Sequence, residues 1–230
     1  MPRAPRPTVL LFDVDGTLVS TGGAGRRAME RAFVEARGSA DTLSFSFGGM
    51  TDRAIARRGL DVGLAPVTDD EIEALLARYL ARLAEELPAS RGFVVHDGAE
   101  ALVRAASAHA GVAVGLGTGN LREGARLKLE RAGLFDAFGF GGFGCDDEAR
   151  PRLLRVGADR GAAALGVEPA ACRVVVIGDT ARDIAAARAI GAEVVAVATG
   201  GTPSTSLRAA EPDLLVETLL DRRVSRFLLR

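Results

Sequence analysis

Apolar residues along this chain alternate between two spacings. Short, nearly unbroken apolar runs are typical of buried strands, and apolar residues three or four positions apart are typical of helices. The runs that predict strands cover residues 9–12, 112–117, 138–143, 173–178, 193–197 and 213–216. The stretches with helical spacing cover residues 26–37, 98–109, 121–132, 152–165 and 181–190, and a last helix closes the chain. Strands that alternate in this way with helices predict an α/β fold, a parallel sheet with helices on both faces.

The segment between the first two predicted strands has a different pattern. From residue 21 to residue 95 the chain has helix starts at Thr51 and Thr68 and no strand-like run. One apolar stripe in this segment predicts a packed helix face, with the members Ile72, Leu75, Leu76, Tyr79, Leu80 and Leu83. We therefore predict an α/β core of residues 1–20 and 96–230, and a small all-helical unit of residues 21–95 inserted after the first strand.

Composition places the chain among ordinary globular proteins. It has 230 residues, of which 48% are hydrophobic and 26% are charged, and its formal net charge is −1. Because so small a net charge creates no broad basic field, we expect no nucleic-acid partner. Lys128 is the only lysine, so a catalytic cation must be an arginine or a metal ion unless Lys128 itself serves. Arginine neither shuttles protons nor forms Schiff bases, which removes several classes of reaction.

Cysteine usage and hydropathy indicate a cytoplasmic protein. Cys145 and Cys172 have neither a C-x-x-C spacing nor a histidine neighbour, so zinc and thioredoxin-like chemistry are not predicted. No apolar run approaches the roughly 20 residues that span a membrane, so we expect no membrane partner. We interpret the basic, proline-rich residues 1–7 as a tail rather than a signal peptide. The expectation is a cytoplasmic enzyme that is a monomer or a homodimer.

Two carboxylates follow the first predicted strand. Asp13 and Asp15 lie at the end of its apolar run and precede a Gly-Thr turn. On an extended chain, residues two positions apart project from the same face. Two like charges at a buried strand end repel each other and lose hydration, which is costly unless a cation or a reaction requires them. The pair therefore indicates phosphoryl chemistry with a metal ion, and the alternative is two loop acids that solvate a turn.

A hydroxyl group in a glycine-rich turn follows the second predicted strand. Ligands of open parallel sheets bind beyond the carboxyl ends of the strands, and this turn contains Thr118, Gly119 and Asn120. A hydroxyl and exposed N–H groups at a helix start suit a phosphate oxygen, although Thr118 or Asn120 could merely cap the next helix. The turn is also similar to a dinucleotide-binding loop. We discount that function because Asn120 replaces the third glycine of G-x-G-x-x-G.

Arg150 is the candidate cation for a phosphate. Arginine can donate two parallel hydrogen bonds to phosphate oxygens. Pro151 suits the first turn of a helix and so places Arg150 at a helix entrance. The alternative for Arg150, which several acids surround in the sequence, is a surface ion pair, and Arg152 is then the second candidate.

Two acids follow the predicted strand 173–178. Asp179 and Asp183 are four positions apart, so one turn of the following helix brings both to the same site. Helix capping by Asp179 or Thr180 is the alternative, but capping does not account for the second acid. Hard carboxylate ligands favour Mg²⁺ over zinc.

Together these motifs resemble those of the haloacid dehalogenase-like hydrolase superfamily. The resemblance covers DVDGT at residues 13–17, Thr118 in GTGN, Arg150 before a proline, and GDTARD at residues 178–183. The helical unit is similar to the small helical cap of that superfamily. The most similar subgroups are phosphoglycolate-phosphatase-like and β-phosphoglucomutase-like enzymes. Arg150 is a departure, because the superfamily often has lysine there, and the detailed geometry of that motif stays open.

The resemblance implies a Rossmann-like core, a helical cap and a covalent mechanism. It implies that Asp13 attacks phosphorus to form an aspartyl-phosphate, and that Asp15 protonates the leaving oxygen and then activates water. The implied substrate-binding residues are Thr118, Gly119, Asn120 and Arg150. The implied Mg²⁺ ligands are Asp13, the backbone carbonyl of Asp15, Asp179 and, directly or through water, Asp183.

Four functions stay open at this point. The first is an Mg²⁺-dependent phosphatase of a small phosphorylated metabolite, and the second is a phosphomutase, whose product must rebind in a flipped orientation. The third is a phospho-accepting signalling module, and the fourth is an inactive binding protein. Asp15 favours a phosphate ester over a halide, because true dehalogenases lack an aspartate at that position. Candidates for contact with the leaving group, or else for solvated surface, are Arg26, Arg27, Thr51, Asp52 and Arg53.

Overall fold

The computed structural model describes residues 6–63 and 65–230, and a six-stranded parallel sheet forms its centre. In chain order the strands are β1 (Thr8–Phe12), β2 (Val19–Thr21), β3 (Phe93–Val95), β4 (Val112–Gly117), β5 (Gly141–Gly142), β6 (Arg173–Gly178), β7 (Glu193–Val197) and β8 (Leu214–Val216). The main sheet has the order β5-β4-β1-β6-β7-β8, with parallel pairing throughout. The predicted parallel sheet is confirmed. Residues 1–5 of the expected N-terminal tail lie outside the described residues.

Helices cover both faces of this sheet. They are α1 (Ala24–Arg37), α2 (Asp52–Leu60), α3 (Asp69–Ala89), α4 (Ala99–Ser107), α5 (Arg122–Arg131), α6 (Arg150–Ala164), α7 (Ala181–Ala189), α8 (Ser204–Ala209) and α9 (Arg222–Leu228). Within the described part of the chain, none of them combines the length and the apolar character of a membrane-spanning helix. Leu10 and Phe12 of β1 belong to a cluster with α4, α5 and α9, whereas Val9 and Leu11 cluster with α6 and α7. Burial on both faces explains why the strand is a continuous apolar run.

The first three helices form a hydrophobic cluster of their own. Phe33 of α1 and Ile55 of α2 pack in it with α3, whose predicted stripe is buried apart from the half-buried Leu80. Helix α3 begins with a capping box, in which Thr68 and Glu71 satisfy each other's backbone N–H groups.

Two short strands connect this helical segment to the rest of the chain. Strand β2 pairs antiparallel with β3, so that Val19 lies opposite Val95 and Thr21 lies opposite Phe93. The sequence pattern does not predict these strands, because three residues are too few for an alternation to be recognised. They bring together the two places where the chain enters and leaves residues 21–95.

Strand β5 is shorter than predicted, and a helix packs closely on its backbone. Of the predicted residues 138–143, only Gly141 and Gly142 pair with β4. A Cβ atom at Gly142 would lie 1.8 Å from the backbone oxygen of Leu153 in α6. Glycine is therefore required at this position for α6 to approach the edge of the sheet.

The first testable prediction concerns this contact. We expect Gly142→Ala to lower the free energy of unfolding by about 2 kcal/mol or more, because backbone has to move to admit the methyl group. Urea denaturation measures the effect. The matched control is Gly139→Ala, since a Cβ at Gly139 would meet no atom within 4 Å. Equal midpoints for the two variants would contradict the packing described.

Candidate active site

The polar residues at the predicted strand ends line one cavity of about 560 Å³. Its lining includes Asp13, Asp15, Thr118, Gly119, Asn120, Arg150 and Asp179. Strand β1 lies between β4 and β6, and Phe12 at its end is in register with Leu116 and Ile177. The residues that follow these three strands therefore meet at one edge of the sheet, as expected for parallel strands.

Asp13 and Asp15 lie in different environments within this cavity. The Asp13 carboxylate is buried, and its Oδ2 atom is 3.1 Å from Nη2 of Arg150. The Asp15 side chain is 43% exposed and accepts hydrogen bonds from Lys128 and Asn120. We expected the two side chains to project from the same face, as residues two positions apart do on an extended strand. Strand β1, however, ends at Phe12, before either acid. The two acids consequently share a cavity but have different partners.

Three buried carboxylates form a cluster beside Arg150. One carboxylate oxygen from each of Asp13, Asp179 and Asp183 lies within 4.8 Å of the others. Burial raises the pKa of Asp13 to about 6 against the opposing effect of Arg150. Burial, together with the charges of Asp183 and Asp13, raises the pKa of Asp179 to about 8. Three ionised carboxylates would carry more negative charge than one arginine balances, so without a further cation the cluster retains a proton near neutral pH.

The surroundings of Asp179 fit a small, hard cation. A Cβ at Gly16 would lie 2.3 Å from Oδ2 of Asp179, and a Cβ at Gly200 would lie 1.7 Å from the same atom. Two glycine backbones thus enclose the carboxylate, and Thr17 donates a weak hydrogen bond of 3.4 Å to its Oδ1 atom. Three oxygen donors in so small a space are the ligand type that Mg²⁺ prefers. The residues present therefore fit a divalent metal ion.

Asp183 takes part both in the capping of α7 and in the carboxylate cluster, although the capping alternative named only Asp179 and Thr180. Its Oδ2 atom accepts the backbone N–H of Thr180 at 3.0 Å, and the Thr180 hydroxyl accepts the N–H of Asp183, which completes a capping box at the start of α7. Its other oxygen, Oδ1, contacts Arg150 within the carboxylate cluster. The expectation that capping leaves the second acid unexplained is wrong, because one carboxylate has two oxygens and each has its own partner.

Arg150 is the buried cation of the site. Its Nη2 group contacts both Asp13 and Asp183, and its side chain is 7% exposed. The alternative of a surface ion pair is therefore wrong for Arg150. That alternative describes Arg152 instead, which is exposed and pairs with Asp147 at 2.7 Å.

Lys128 completes the other half of the cavity. Its ammonium group donates to Oδ2 of Asp15 and to Oδ1 of Asn120, each at 2.6 Å. The Asn120 amide donates to Asp15 and to the hydroxyl of Thr118, each at 2.8 Å. Sequence reasoning identified Lys128 only as a possible cation. The missed signal was its position between Ala125 and Leu129 on the buried face of α5.

Asp52 brings the helical segment into contact with this network. Its backbone N–H donates to the carbonyl of Gly119, and its Oδ2 atom accepts the N–H of Leu121, each at 2.8 Å. Burial raises the pKa of Asp52 to about 6, and the Lys128 ammonium opposes that rise. A Cβ at Gly119 would lie 2.4 Å from the backbone oxygen of Met50, so this glycine permits the close approach.

The other candidates for contact with the leaving group mostly bind neighbouring protein groups. Arg26 lines the cavity but donates to the backbone carbonyls of Leu43 and Phe45. Thr51 caps α2 and donates to the carbonyl of Glu148. The remaining two form ion pairs away from the cavity, Arg27 with Glu86 and Arg53 with Asp69 and Glu73.

Comparisons with known proteins give consistent results. A sequence profile of haloacid dehalogenase-like hydrolases matches residues 7–191. The phosphoglycolate phosphatase of Rhodospirillum rubrum is 33% identical over 206 residues, which are 84% of this chain and 80% of the relative. The phosphoglycolate phosphatase of Synechococcus elongatus is 32% identical over 219 residues, which are 92% of this chain and 93% of the relative. A crystal structure of a hydrolase from Pseudomonas syringae has a TM-score of 0.68 at 23% identity, covers 93% of this chain and 95% of its own, and shows the same fold.

The second prediction concerns the charge of the cluster without metal. Because the pKa of Asp179 is higher in the folded than in the unfolded chain, its contribution to stability is complete below about pH 4 and is lost as the pH rises to about 8. In EDTA, Asp179→Asn should therefore match the wild type near pH 4 and exceed its stability at pH 8.5 by a few kcal/mol, on the order of 1.4 per pKa unit.

Thermal unfolding across this pH range, with and without Mg²⁺, measures the effect. Added Mg²⁺ should stabilise the wild type much more than Asp179→Asn, since a cation that binds only the folded state raises its stability. Asp136→Asn, which alters an exposed acid, is the control and should show neither effect. An Asp179→Asn variant that is less stable than the wild type at pH 8.5 in EDTA would contradict the electrostatics described.

Proposed function

The chain belongs to the haloacid dehalogenase-like hydrolases, and from this premise we propose that it is an Mg²⁺-dependent phosphatase of a small phosphorylated metabolite. Its family and its relatives make it a hydrolase of phosphate monoesters. One observation carries the proposal: Asp13, buried between Arg150 and two further acids, shares a cavity with Asp15. The two relatives of known substrate class make 2-phosphoglycolate the first candidate substrate.

Asp13 is the nucleophile in this proposal. One of its carboxylate oxygens attacks phosphorus and forms an aspartyl-phosphate, while the bond from phosphorus to the ester oxygen breaks. Arg150 holds this carboxylate through the contact of 3.1 Å and adds positive charge beside the transferring group. Phosphoryl transfer depends mainly on such positioning and charge neutralisation.

The metal ion would be held by Asp13 and Asp179, with the backbone carbonyl of Asp15, and by Asp183 directly or through water. When bound, it reduces the repulsion between a carboxylate nucleophile and a phosphate dianion. The buried carboxylates of Asp13, Asp179 and Asp183 support this assignment, because they lie within 4.8 Å of one another.

Thr118 and the turn after it bind the phosphate oxygens. The Thr118 hydroxyl accepts a hydrogen bond from Asn120. Its own hydrogen bonds to the Asp13 carboxylate and lowers the pKa of Asp13, so this donor lies beside the nucleophile and can turn to a phosphate oxygen when the substrate binds. The backbone N–H of Gly119 lies at the approach to α5 and adds a donor of the kind that binds phosphate at helix starts. The backbone N–H of Asn120 donates to the Thr118 hydroxyl and so orients it.

Asp15 is the general acid and then the general base. It transfers a proton to the leaving ester oxygen, which departs as an alcohol, and later removes a proton from the water that hydrolyses the aspartyl-phosphate. Its partial exposure to the cavity supports this role. Its hydrogen bonds from Asn120 and Lys128 both go to Oδ2, which holds the carboxyl group in position. The products are the free alcohol and inorganic phosphate, and Asp13 is regenerated.

Residues 21–95 form a cap over this chemistry in our proposal, and residues 1–20 and 96–230 form the core. The antiparallel pair of β2 and β3 is the connection about which the cap would move. Contacts that close it include the ion pair of Arg57 with Glu148 at 2.8 Å and the hydrogen bond from Asp52 to Gly119. Closure of this kind excludes water from the phosphoryl group.

The third prediction tests the function directly. Purified enzyme is assayed for phosphate release from a panel of phosphorylated metabolites, including 2-phosphoglycolate and sugar phosphates, with Mg²⁺ and with EDTA. We expect hydrolysis that stops in EDTA. Asp13→Asn should abolish turnover because the nucleophile is lost, and Asp15→Asn should lower kcat by about 10²- to 10⁴-fold, the usual contribution of a general acid.

Circular dichroism of both variants checks that they remain folded. Near-normal turnover by Asp13→Asn would exclude the covalent mechanism. Isomerised sugar phosphate without free phosphate would instead identify a mutase. A stable phosphoryl-enzyme without turnover would identify a phospho-accepting module.

A further inference from the structure

Lys128 is the only lysine of the chain, and it is almost fully buried at the cavity wall. Its ammonium group has three N–H donors. Two of them are used, by Asp15 and by Asn120, each at 2.6 Å. In the part of the chain that the structure describes, the third has no acceptor. A buried ammonium group with an unused donor is costly unless something else accepts that hydrogen bond.

Tyr79 of α3 is a second buried side chain with an unused hydrogen-bond donor. It is 2% exposed, it lines the cavity, and its hydroxyl has no hydrogen bond to any described residue. Burial, with the charges of Asp52 and Asp15, raises the pKa of Tyr79 well above its ordinary value. The hydroxyl therefore stays protonated and can donate.

The two unused donors flank one small space. A Cβ at Gly25 would lie 3.7 Å from Nζ of Lys128 and 3.9 Å from the hydroxyl oxygen of Tyr79. Both distances are ordinary contact distances, so a side chain at position 25 would fill the gap between these groups. Glycine at the start of α1 keeps the gap open to a ligand atom.

The position of this space relative to Asp15 specifies what can occupy it. Asp15 must lie within hydrogen-bonding distance of the ester oxygen that it protonates. The Lys128 ammonium is 2.6 Å from the same carboxylate. A substituent on the carbon next to the ester carbon therefore comes within reach of Lys128, whereas the phosphoryl group lies on the Asp13 side of the cavity.

We propose that Lys128 and Tyr79 form a leaving-group subsite that binds an oxygen substituent on the carbon adjacent to the ester carbon. This inference rests on the proposed phosphatase function and adds its substrate class: alkyl phosphates with a hydroxyl, carbonyl or carboxylate oxygen at that position. Lys128 and Tyr79 both donate to that oxygen. The charge of Asp52, which also acts on Lys128, weakens the binding of a carboxylate relative to that of a neutral oxygen and so ranks the members of this class.

The fourth prediction uses three substrates whose leaving groups have two carbons: ethyl phosphate, 2-hydroxyethyl phosphate and 2-phosphoglycolate. We expect the wild type to prefer at least one oxygen-bearing ester over ethyl phosphate in kcat/KM by about tenfold or more, the value of a hydrogen bond from a charged donor. Lys128→Met should remove most of that preference, and Tyr79→Phe should reduce it by a smaller factor.

The preference is a ratio of two substrates on one enzyme, so it does not change with the fraction of protein that is folded. Arg126→Met is the matched control, since Arg126 lies on the same helix and forms ion pairs with Glu123 and Glu130 at the surface. This variant should retain the wild-type preference. If Lys128→Met is inactive, the substrate preference of Tyr79→Phe tests the subsite, because this variant keeps both groups that donate hydrogen bonds to Asp15.

The outcomes separate this inference from the proposed function. A preference for 2-hydroxyethyl phosphate identifies a neutral acceptor, and one for 2-phosphoglycolate identifies an anionic acceptor. Either preference supports the subsite if the Lys128→Met variant no longer shows that preference. An equal loss on all three substrates would show that Lys128 serves only Asp15, and would overturn the subsite while the phosphatase function stands. Absence of hydrolysis of any phosphomonoester would overturn both.

Discussion

The site depends on one electrostatic constraint, the burial of three carboxylates around a single arginine. Asp13, Asp179 and Asp183 approach within 4.8 Å of one another, and Arg150 contacts two of them. Such a cluster is unfavourable by itself, because burial and mutual repulsion both oppose ionisation. The fold maintains it through strong local constraints: parallel strands that end at one level, a capping box on α7 and glycines that enclose Asp179.

The cavity divides into two halves of different chemistry. On one side the carboxylate cluster and Arg150 suit a metal ion and a phosphoryl group. On the other side Asp15, Asn120 and Lys128 are hydrogen-bonded to one another, and Asn120 also donates to Thr118. Two acids only two positions apart in the sequence can therefore have separate roles, because β1 ends at Phe12 and the residues after it no longer form an extended strand.

The helical segment contributes to both the shape and the polarity of the cavity. Asp52 binds the turn after β4 through its backbone and its side chain, so the element that encloses the cavity also contacts the proposed phosphate-binding turn. Gly119 makes this possible, because any side chain there would collide with the backbone at Met50. Enclosure and positioning are thus linked through a few direct hydrogen bonds.

The sequence alone determined the alternation of strands and helices, the parallel sheet and the acids at its carboxyl edge. These features depend on local periodicity and on residues adjacent to strand ends, which a single sequence displays. The tertiary structure decided which polar groups meet. The hydrogen bonds of Lys128, the position of Tyr79 at the cavity wall and the double role of Asp183 could not be predicted, because the groups that they meet lie mostly far away in the chain. Long-range packing selects those contacts, and no local pattern in the sequence encodes them.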